Sequence, residues 1–375
     1  MKIVHIINSL GQGGSENTLF KLCKYDSLNK HFVISLTGTG AYYYLIKNLG
    51  VKVYCLNLNF FSIYKFFYLI KLLRNIKPDI LQTWLFHSDL IGGLAGWFAG
   101  IRNIIWNIRS SNLELGKAKL TTILIIKILS KLSYFIPAKI IIASKKAKNV
   151  YKDEKYDTKK LKFIPNGYDL SILKPNQLER LKFRKKIKVN LKTPVIGCIA
   201  RYAPEKDHLN LLYALSEIRL KNINFYCILA GSNINKNQEL IYKIKKLKLN
   251  NNIRLLKSQK NISEIMNGID VHVLSSSYGE AFPNIVSEAM AIGTPCVVTN
   301  VADAGCIVNK TGWVVPIKNP NKLAIAIETV LSEIGTKDWI IRCNSSRERI
   351  KINYSINKMI KAYNIEWNKV YNKNV

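Results

Sequence analysis

Paired cysteines are missing from this chain. Seven cysteines are scattered through it, and no two stand in a CxxC spacing. That fits a reducing compartment and argues against a structural zinc. The five histidines are equally dispersed. No DxD occurs, so the usual sequence signature of a metal-held diphosphate is absent. No secretory signal opens the chain; Lys2-Ile-Val-His-Ile-Ile7 reads as a first strand. No apolar run reaches spanning length intact, because Leu120 to Ile142 is broken by Lys127, Lys131, Pro137 and Lys139. Acidic residues are scarce as well: 24 against 57 Lys and Arg, a net charge of +33. Part of that excess is background in a sequence rich in Lys, Asn and Ile everywhere. The remainder implies attraction to polyanions such as nucleotides, anionic lipid or nucleic acid. No tandem repeat or low-complexity tract is visible.

What is present is a core and a rhythm. A hydrophobic content of 48% over 375 residues excludes disorder and suggests two domains. Short apolar runs alternate with helix-length segments. The first half offers strands at Ile3–Ile7, Phe32–Leu36, Val51–Leu56, Asp79–Thr83, Ile104–Ile108, Lys139–Ala143 and Lys162–Ile164. The second half offers Val195–Ala200, Phe225–Ala230, Ile253–Leu256, Val271–Leu274, Pro295–Thr299 and Gly312–Val315. Continuous apolar strands of this kind belong to parallel sheets covered on both faces. The predicted fold is therefore α/β, with two consecutive doubly wound, Rossmann-like domains. The charged, Pro-containing stretch Asp169–Lys192 reads as the boundary, giving domains at 1–175 and 190–355. Met359, Ile360, Tyr363, Trp367 and Val370 recur at helical spacing and predict an amphipathic C-terminal helix over 356–375.

Several segments carry candidate chemistry. In Gly279 to Gly293, GEAFPNIVSEAMAIG, Glu280 and Glu288 bracket a Pro-Asn step that suits a helix start. A strand, a polar loop (Ser275 to Tyr278) and a helix N-terminus flanked by acids make a cradle for a polyol joined to a phosphate. The helix end suits the phosphate and the carboxylates suit sugar hydroxyls. Two solvated glutamates are the plain alternative. Arg201 and Lys206, in ARYAPEKDH, follow the first strand of the second half, where open sheets bind ligands. They fit a diphosphate clamp or a pair of solvated cations. Asp207 is placed to cap the next helix. The N-terminal loop Asn8 to Gly14, with Gly13 and Gly14 before Glu16, either approaches a ligand or makes a plain turn. His87 follows a strand in WLFHSDLIGG, and is either a structural histidine or a site residue. Arg109 ends another strand and reads as a surface arginine, with a phosphate or acceptor contact as the alternative. The stretches 59–77 and 117–149 interleave Lys and Arg with aromatic and aliphatic residues. They are either basic faces resting on anionic lipid or ordinary helices with Lys outward.

In order and spacing, Gly13-Gly14-Ser-Glu16, Pro165-Asn-Gly-Tyr-Asp169, Arg201 with Lys206, and Glu280 with Glu288 resemble the retaining family 4 glycosyltransferases of the GT-B fold. The resemblance covers nearly the whole chain. The WLFHSDLIGG region is similar to a subgroup that builds bacterial surface polysaccharides. It implies a nucleotide diphosphate sugar donor, UDP-linked in the subgroup, bound between the domains without a metal or other cofactor. It further implies that Glu288 binds the ribose, Glu280 the sugar hydroxyls, and Arg201 and Lys206 the leaving diphosphate. Phe282, Pro283, Asn284 and Ile285 would offer backbone N–H groups, and Gly13 and Gly14 would line the donor. His87 would sit near the reacting carbon, Glu16 and Arg109 near the acceptor, and the final helix, about 356–375, would cross back to join the first domain. The acceptor would be a lipid-linked saccharide at the cytoplasmic face of the plasma membrane, reached without nucleic acid. One departure stands out: Asn300 to Gly305 lacks the family's Gly-Gly and Pro-Glu. An epimerase of the same fold would need an acid/base pair about the sugar, and none is visible. A non-enzymatic polyanion binder would need a nucleic-acid motif or steep salt dependence.

Overall fold

The computed structural model describes residues 1–58, 63–109, 120–259 and 261–373. The chain divides into two compact units, 1–167 with 356–375, and 168–355. The first holds strands β1 (Lys2–Ile7), β2 (Lys30–Ser35), β3 (Lys52–Cys55), β4 (Ile80–Trp84), β5 (Ile104–Ile108), β6 (Lys139–Ile142) and β7 (Leu161–Phe163). The second holds β8 (Val195–Ile199), β9 (Tyr226–Ala230), β10 (Ile253–Leu256), β11 (Val271–Leu274), β12 (Cys296–Thr299) and β13 (Trp313–Val315). Every predicted strand is present, within one or two residues at either end. The sheet orders are β3-β2-β1-β4-β5-β6-β7 and β10-β9-β8-β11-β12-β13. All pairings are parallel.

The two faces of the first sheet separate by residue parity, as the pleat requires. Val4, Ile6, Leu81, Ile104, Trp106 and Ile140 pack into one core layer. Ile3, Ile7, Ile80, Trp84, Ile105 and Ile141 pack into the other, with helices Gly14–Tyr25 and Ile356–Lys373. The C-terminal helix docks through polar pegs as well as apolar contact. Trp367 Nε1 donates to Gln82 Oε1 at 2.7 Å and Asn107 Nδ2 donates to the Tyr363 hydroxyl at 2.8 Å. Each peg satisfies a polar group that burial would otherwise leave costly.

Beneath Trp367 runs a histidine relay. Trp84 Nε1 donates to His5 Nδ1 (3.3 Å), so His5 carries its proton on Nε2. That proton goes to His31 Nδ1 (2.9 Å), and His31 Nε2–H reaches Asp26 Oδ2 (3.2 Å). Burial would raise the Asp26 pKa, but bonds from His31, Asn29 and the Leu28 amide bring it down to about 2. Cys23 lies close enough to His5 and His31 for one ion, their ligand atoms being within 4.8 Å of one another. The residues do not fit a resident metal. Both rings already use both nitrogens, and burial followed by the Asp26 charge pushes the Cys23 thiol up, away from the thiolate a metal needs.

The division between the units corrects the sequence reading. It falls at Gly167, just ahead of Asp169–Lys192, which belongs wholly to the second unit. Helix Gln177–Ile187 lies within it, with Phe183 fully buried in the second core. Arg184 is 1% exposed and donates to Asp270 Oδ2 at 2.6 Å, to the Gly268 carbonyl and to the Thr193 carbonyl. Asp270 also accepts from the Val195 amide at 2.7 Å, at the start of β8. A charged side chain so enclosed is tolerated because each donor is satisfied. Replacing Asp270 by Ala should cost about 3–5 kcal/mol by stranding that guanidinium. Replacing Lys221, which meets Glu328 at the surface, should cost less than about 1 kcal/mol. Urea unfolding of both variants tests this, and equal shifts would refute the buried-pair account.

Candidate active site

In an open parallel sheet, the ligand crevice forms at the carboxyl ends of the two central strands from which the chain winds in opposite directions. In the second unit those strands are β8 and β11, and in the first β1 and β4. Apart from Arg109, which follows β5, the candidate residues fall on the segments that leave these four strands.

After β8 the chain passes Arg201 and makes a short 3-10 turn, Pro204–Lys206. Asp207 then enters the left-handed region at φ 45° and caps helix His208–Leu220, its Oδ1 accepting from the Asn210 amide at 3.3 Å. Leaving β11, Ser275 Oγ donates to the Lys206 carbonyl at 2.8 Å and the Ser277 amide to the Glu205 carbonyl at 2.9 Å. These bonds stitch the two loops together. Gly279, at φ 75°, lets the chain pass the Glu205 side chain, which a Cβ would meet at 3.1 Å.

The stitching places Lys206 Nζ 2.5 Å from Glu280 Oε1, which also accepts from Ser276 Oγ at 2.8 Å. Both charged side chains are mostly enclosed, at 16% and 11% exposure. The Lys206 charge is felt nearby: burial first, then this ammonium, lowers the His208 pKa to about 4. Arg201 pairs with Glu205 but is 62% exposed. Such a pair is worth about 0–1 kcal/mol, so the guanidinium is readily released to a ligand. Past Glu280, Pro283 opens helix Asn284–Ile292 with no side-chain cap. The helix end is the positive end of its dipole. Tyr168 OH donates to Asn284 Oδ1 at 2.6 Å, fixing that side chain. Phe282 is 6% exposed and packs edge-on against Tyr354, so only its backbone faces outward chemistry. Glu288 lies in the second turn, half-buried.

In the first unit the loop after β1 leads to helix Gly14–Tyr25, again without a side-chain cap. Glu16 folds back over it; a Cβ on Gly13 would stand 2.4 Å from Glu16 Oε2, so any side chain there would have to displace that carboxylate. Burial raises the Glu16 pKa, opposed by its own backbone amide and by Ser9. Arg109 is not a free surface arginine. It donates to the Tyr363 hydroxyl (3.2 Å), to Thr18 Oγ1 (3.1 Å) and to Asn166 Oδ1, tying three segments of the unit.

His87 is exposed in the first turn of helix Phe86–Phe98, just past β4. Leu85, just before the helix, takes φ 70°, a conformation that costs a non-glycine residue about 1–3 kcal/mol. Two residues later Asp89 is fully buried, with Oδ1 accepting from Thr83 Oγ1 at 2.5 Å. Burial outweighs the bonds from Thr83 and the Asn107 amide and pushes its carboxyl up to about 8. Sequence reading placed the loop Ser275 to Tyr278 in the cradle but gave no role to its single serines, nor to Asp89 and Tyr168 inside two of the quoted segments; their partners lie far along the chain or in the fold.

A carboxyl whose folded pKa lies above its unfolded ~3.9 stabilises the fold at low pH and loses that stability as pH climbs from about 4 to about 8. Asp89→Asn removes the loss. The variant should gain on wild type by about 1.4 kcal/mol per pH unit across that window. Denaturant unfolding at pH 5 and pH 8 measures it, and a gap independent of pH would contradict the assignment.

Residues 12–172 match the family model described as Glycosyltransferase Family 4, and residues 179–347 the model described as Glycosyl transferases group 1. The chain is 25% identical over 305 residues to the UDP-Gal:alpha-D-GlcNAc-diphosphoundecaprenol alpha-1,3-galactosyltransferase of Escherichia coli, covering 79% of this chain and 74% of that protein. It is 26% identical over 300 residues to the capsular polysaccharide biosynthesis glycosyltransferase CapM of Staphylococcus aureus, covering 76% of each. Among solved structures, Anabaena HepE in complex with UDP matches with a TM-score of 0.87 at 19% identity, over 98% of this chain and 100% of that one.

Proposed function

Because this chain belongs to the GT-B glycosyltransferases, with a family 4 domain followed by a group 1 domain, we propose that it transfers a hexose or N-acetylhexosamine from a UDP-sugar to a lipid-linked bacterial surface glycan, with retention and without a metal. The observation that carries this reading is the Lys206–Glu280 pair beside the uncapped helix at Asn284. The carboxylate neutralises an enclosed ammonium. A donor diphosphate would take over Lys206 and leave Glu280 to accept hydrogen bonds from the sugar. One anion replaces another, so the cation is never stranded.

Transfer breaks the bond between the anomeric carbon and the diphosphate oxygen. Negative charge then grows on the departing oxygens while the sugar acquires oxocarbenium character. Arg201, Lys206 and the helix end at Asn284 and Ile285 supply fixed positive potential for that charge. Glu288 is assigned the ribose, Gly13, Gly14 and His87 the donor, and Glu16 the acceptor, on the resemblance of their motifs. Glu280 positions the sugar and is not the nucleophile. The leaving phosphate accepts the acceptor's proton as the new bond forms on the same face.

The acceptor and location rest on surface chemistry and on relatives. The E. coli relative is named for a diphosphoundecaprenol acceptor, and no helix among the described residues is long and apolar enough to cross a membrane. Helix Ile63–Ile76 exposes Ile63, Tyr64 and Phe67, and helix Leu120–Leu132 exposes Leu120 and Leu124, beside exposed Lys71, Lys127 and Lys131. Apolar side chains outward among lysines suit peripheral contact with the anionic cytoplasmic face. Residues 59–62 and 117–119 of the two basic stretches lie outside the described residues.

Incubation with a panel of nucleotide sugars, read as donor hydrolysis and thermal stabilisation, tests the donor class. Lys206→Ala and Glu280→Gln should each stay folded and lose about 10²–10³ in turnover. Turnover like wild type in either removes that residue from the chemistry. Activity should persist in EDTA; a strict divalent-ion requirement would reject the metal-free clamp.

A further inference from the structure

The amino-terminal edge of the first unit's sheet carries a second concentration of positive charge, at the opposite end of the strands from the candidate site. A cavity of 470 Å³ opens there between the starts of β5, β6 and β7 and the end of the C-terminal helix. Five cations line it, Arg102, Lys139, Lys160, Lys369 and Lys373, against one carboxylate, Glu366. Glu366 is already engaged, at 3.2 Å from Lys369 and 3.7 Å from Lys162. Among the described residues no carboxylate pairs with Arg102, Lys139 or Lys373.

Two of these cations are held in place. Arg102 lies over the Trp97 ring at 4.1 Å and donates to the Trp97 carbonyl at 3.0 Å. Lys160 donates to the carbonyls of Ser133 (2.9 Å) and Tyr134 (2.7 Å). Burial lowers the Lys160 pKa, Asp157 opposes this, and the Lys373 charge lowers it further. Among the described residues, Asp157 and Glu366 are the carboxylates within reach of these five cations, so a net positive potential remains in the cavity. Arg102 also lines a neighbouring 690 Å³ cavity with Arg74 and Lys77 and no acidic residue. The basic edge is thus continuous from β4 to β7.

We propose that this cavity is a second anion site, taking a phosphate-bearing group, and that it is separate from the sugar-nucleotide site at the carboxyl ends of the strands. Helix C-termini explain two of the cations, since Arg102 and Lys160 satisfy carbonyls there. They do not explain Lys139 and Lys373, which bring like charges together with no described counter-charge. A phosphate, with three or more acceptor oxygens, supplies one. The group is either a phospholipid head or a soluble phosphate.

The test uses the full chain carrying Lys206→Ala, which silences the donor clamp. Calorimetric titration with inorganic pyrophosphate should show binding that R102Q/K139Q/K373Q weakens at least tenfold. The exposed control set K24Q/K47Q/K52Q removes the same charge elsewhere and should weaken it less than threefold. Flotation with phosphatidylglycerol vesicles, against phosphatidylcholine vesicles, runs in parallel. Loss in the cavity variant on vesicles alone assigns the lipid head; loss on pyrophosphate alone assigns a soluble phosphate. Equal loss in both variant sets, or none in either assay, overturns the proposal. Should the triple variant misfold, K139Q/K373Q, which breaks no described ion pair, carries the same comparison. None of these readouts involves glycosyl transfer, so the result stands whatever the donor proves to be.

Discussion

Parallel strands all end on the same edge, and that constraint organises everything else in this protein. Each strand must be followed by a crossover, so each contributes one loop to the carboxyl edge. Where the winding reverses, two neighbouring loops diverge and leave a crevice. The β8 and β11 loops meet the condition in the second unit, and the β1 and β4 loops in the first. The residues with candidate chemistry need not be close in sequence; Lys206 and Glu280 are 74 positions apart and touch.

The two cations after β8 are held differently, and the difference suits their proposed tasks. Lys206 is enclosed, with its ammonium locked on a carboxylate that a serine also orients. Arg201 is mostly in water and leans on Glu205. An enclosed ion pair has little freedom to reorganise, so it presets the field where charge will develop. An exposed guanidinium can swing to a ligand and grip two oxygens at once. The loop bonds from Ser275 and Ser277 keep the pair in register, and the buried Thr299 hydroxyl holds the Ser276 carbonyl from below.

Histidine and aspartate in this chain mark burial at least as often as chemistry. His5, His208 and His272 are all held neutral by burial. Asp270 anchors a buried arginine, and Asp26 terminates a relay beneath the C-terminal helix. Of the five histidines, His87 alone is exposed, at the carboxyl end of a central strand. Its neighbour Asp89 resists ionisation because burial outweighs the bonds it receives from Thr83 and the Asn107 amide. Fold maintenance and candidate catalysis are thus separated by two residues on one helix turn.

All thirteen strands could be read from apolar runs, since a doubly covered parallel strand has no polar face to blur its limits. The Asp207 cap, the helix start after Pro283 and the C-terminal helix were equally legible, because caps and periodicity are local properties. Pairing across long sequence distances was not. Asp169–Lys192 reads as a boundary because it is charged and carries Pro175, and the partner of one of those charges, Arg184, is Asp270, 86 residues away. Arg109 looked like surface for the same reason; its acceptors lie on Thr18, Asn166 and Tyr363. The sequence by itself determined which segments are strands and helices and which residues could bear charge at their ends. Only the tertiary structure decided which of those charges are spent inside the fold, because a charge is neutralised by whatever lies within a few ångströms, and that neighbour is set by packing.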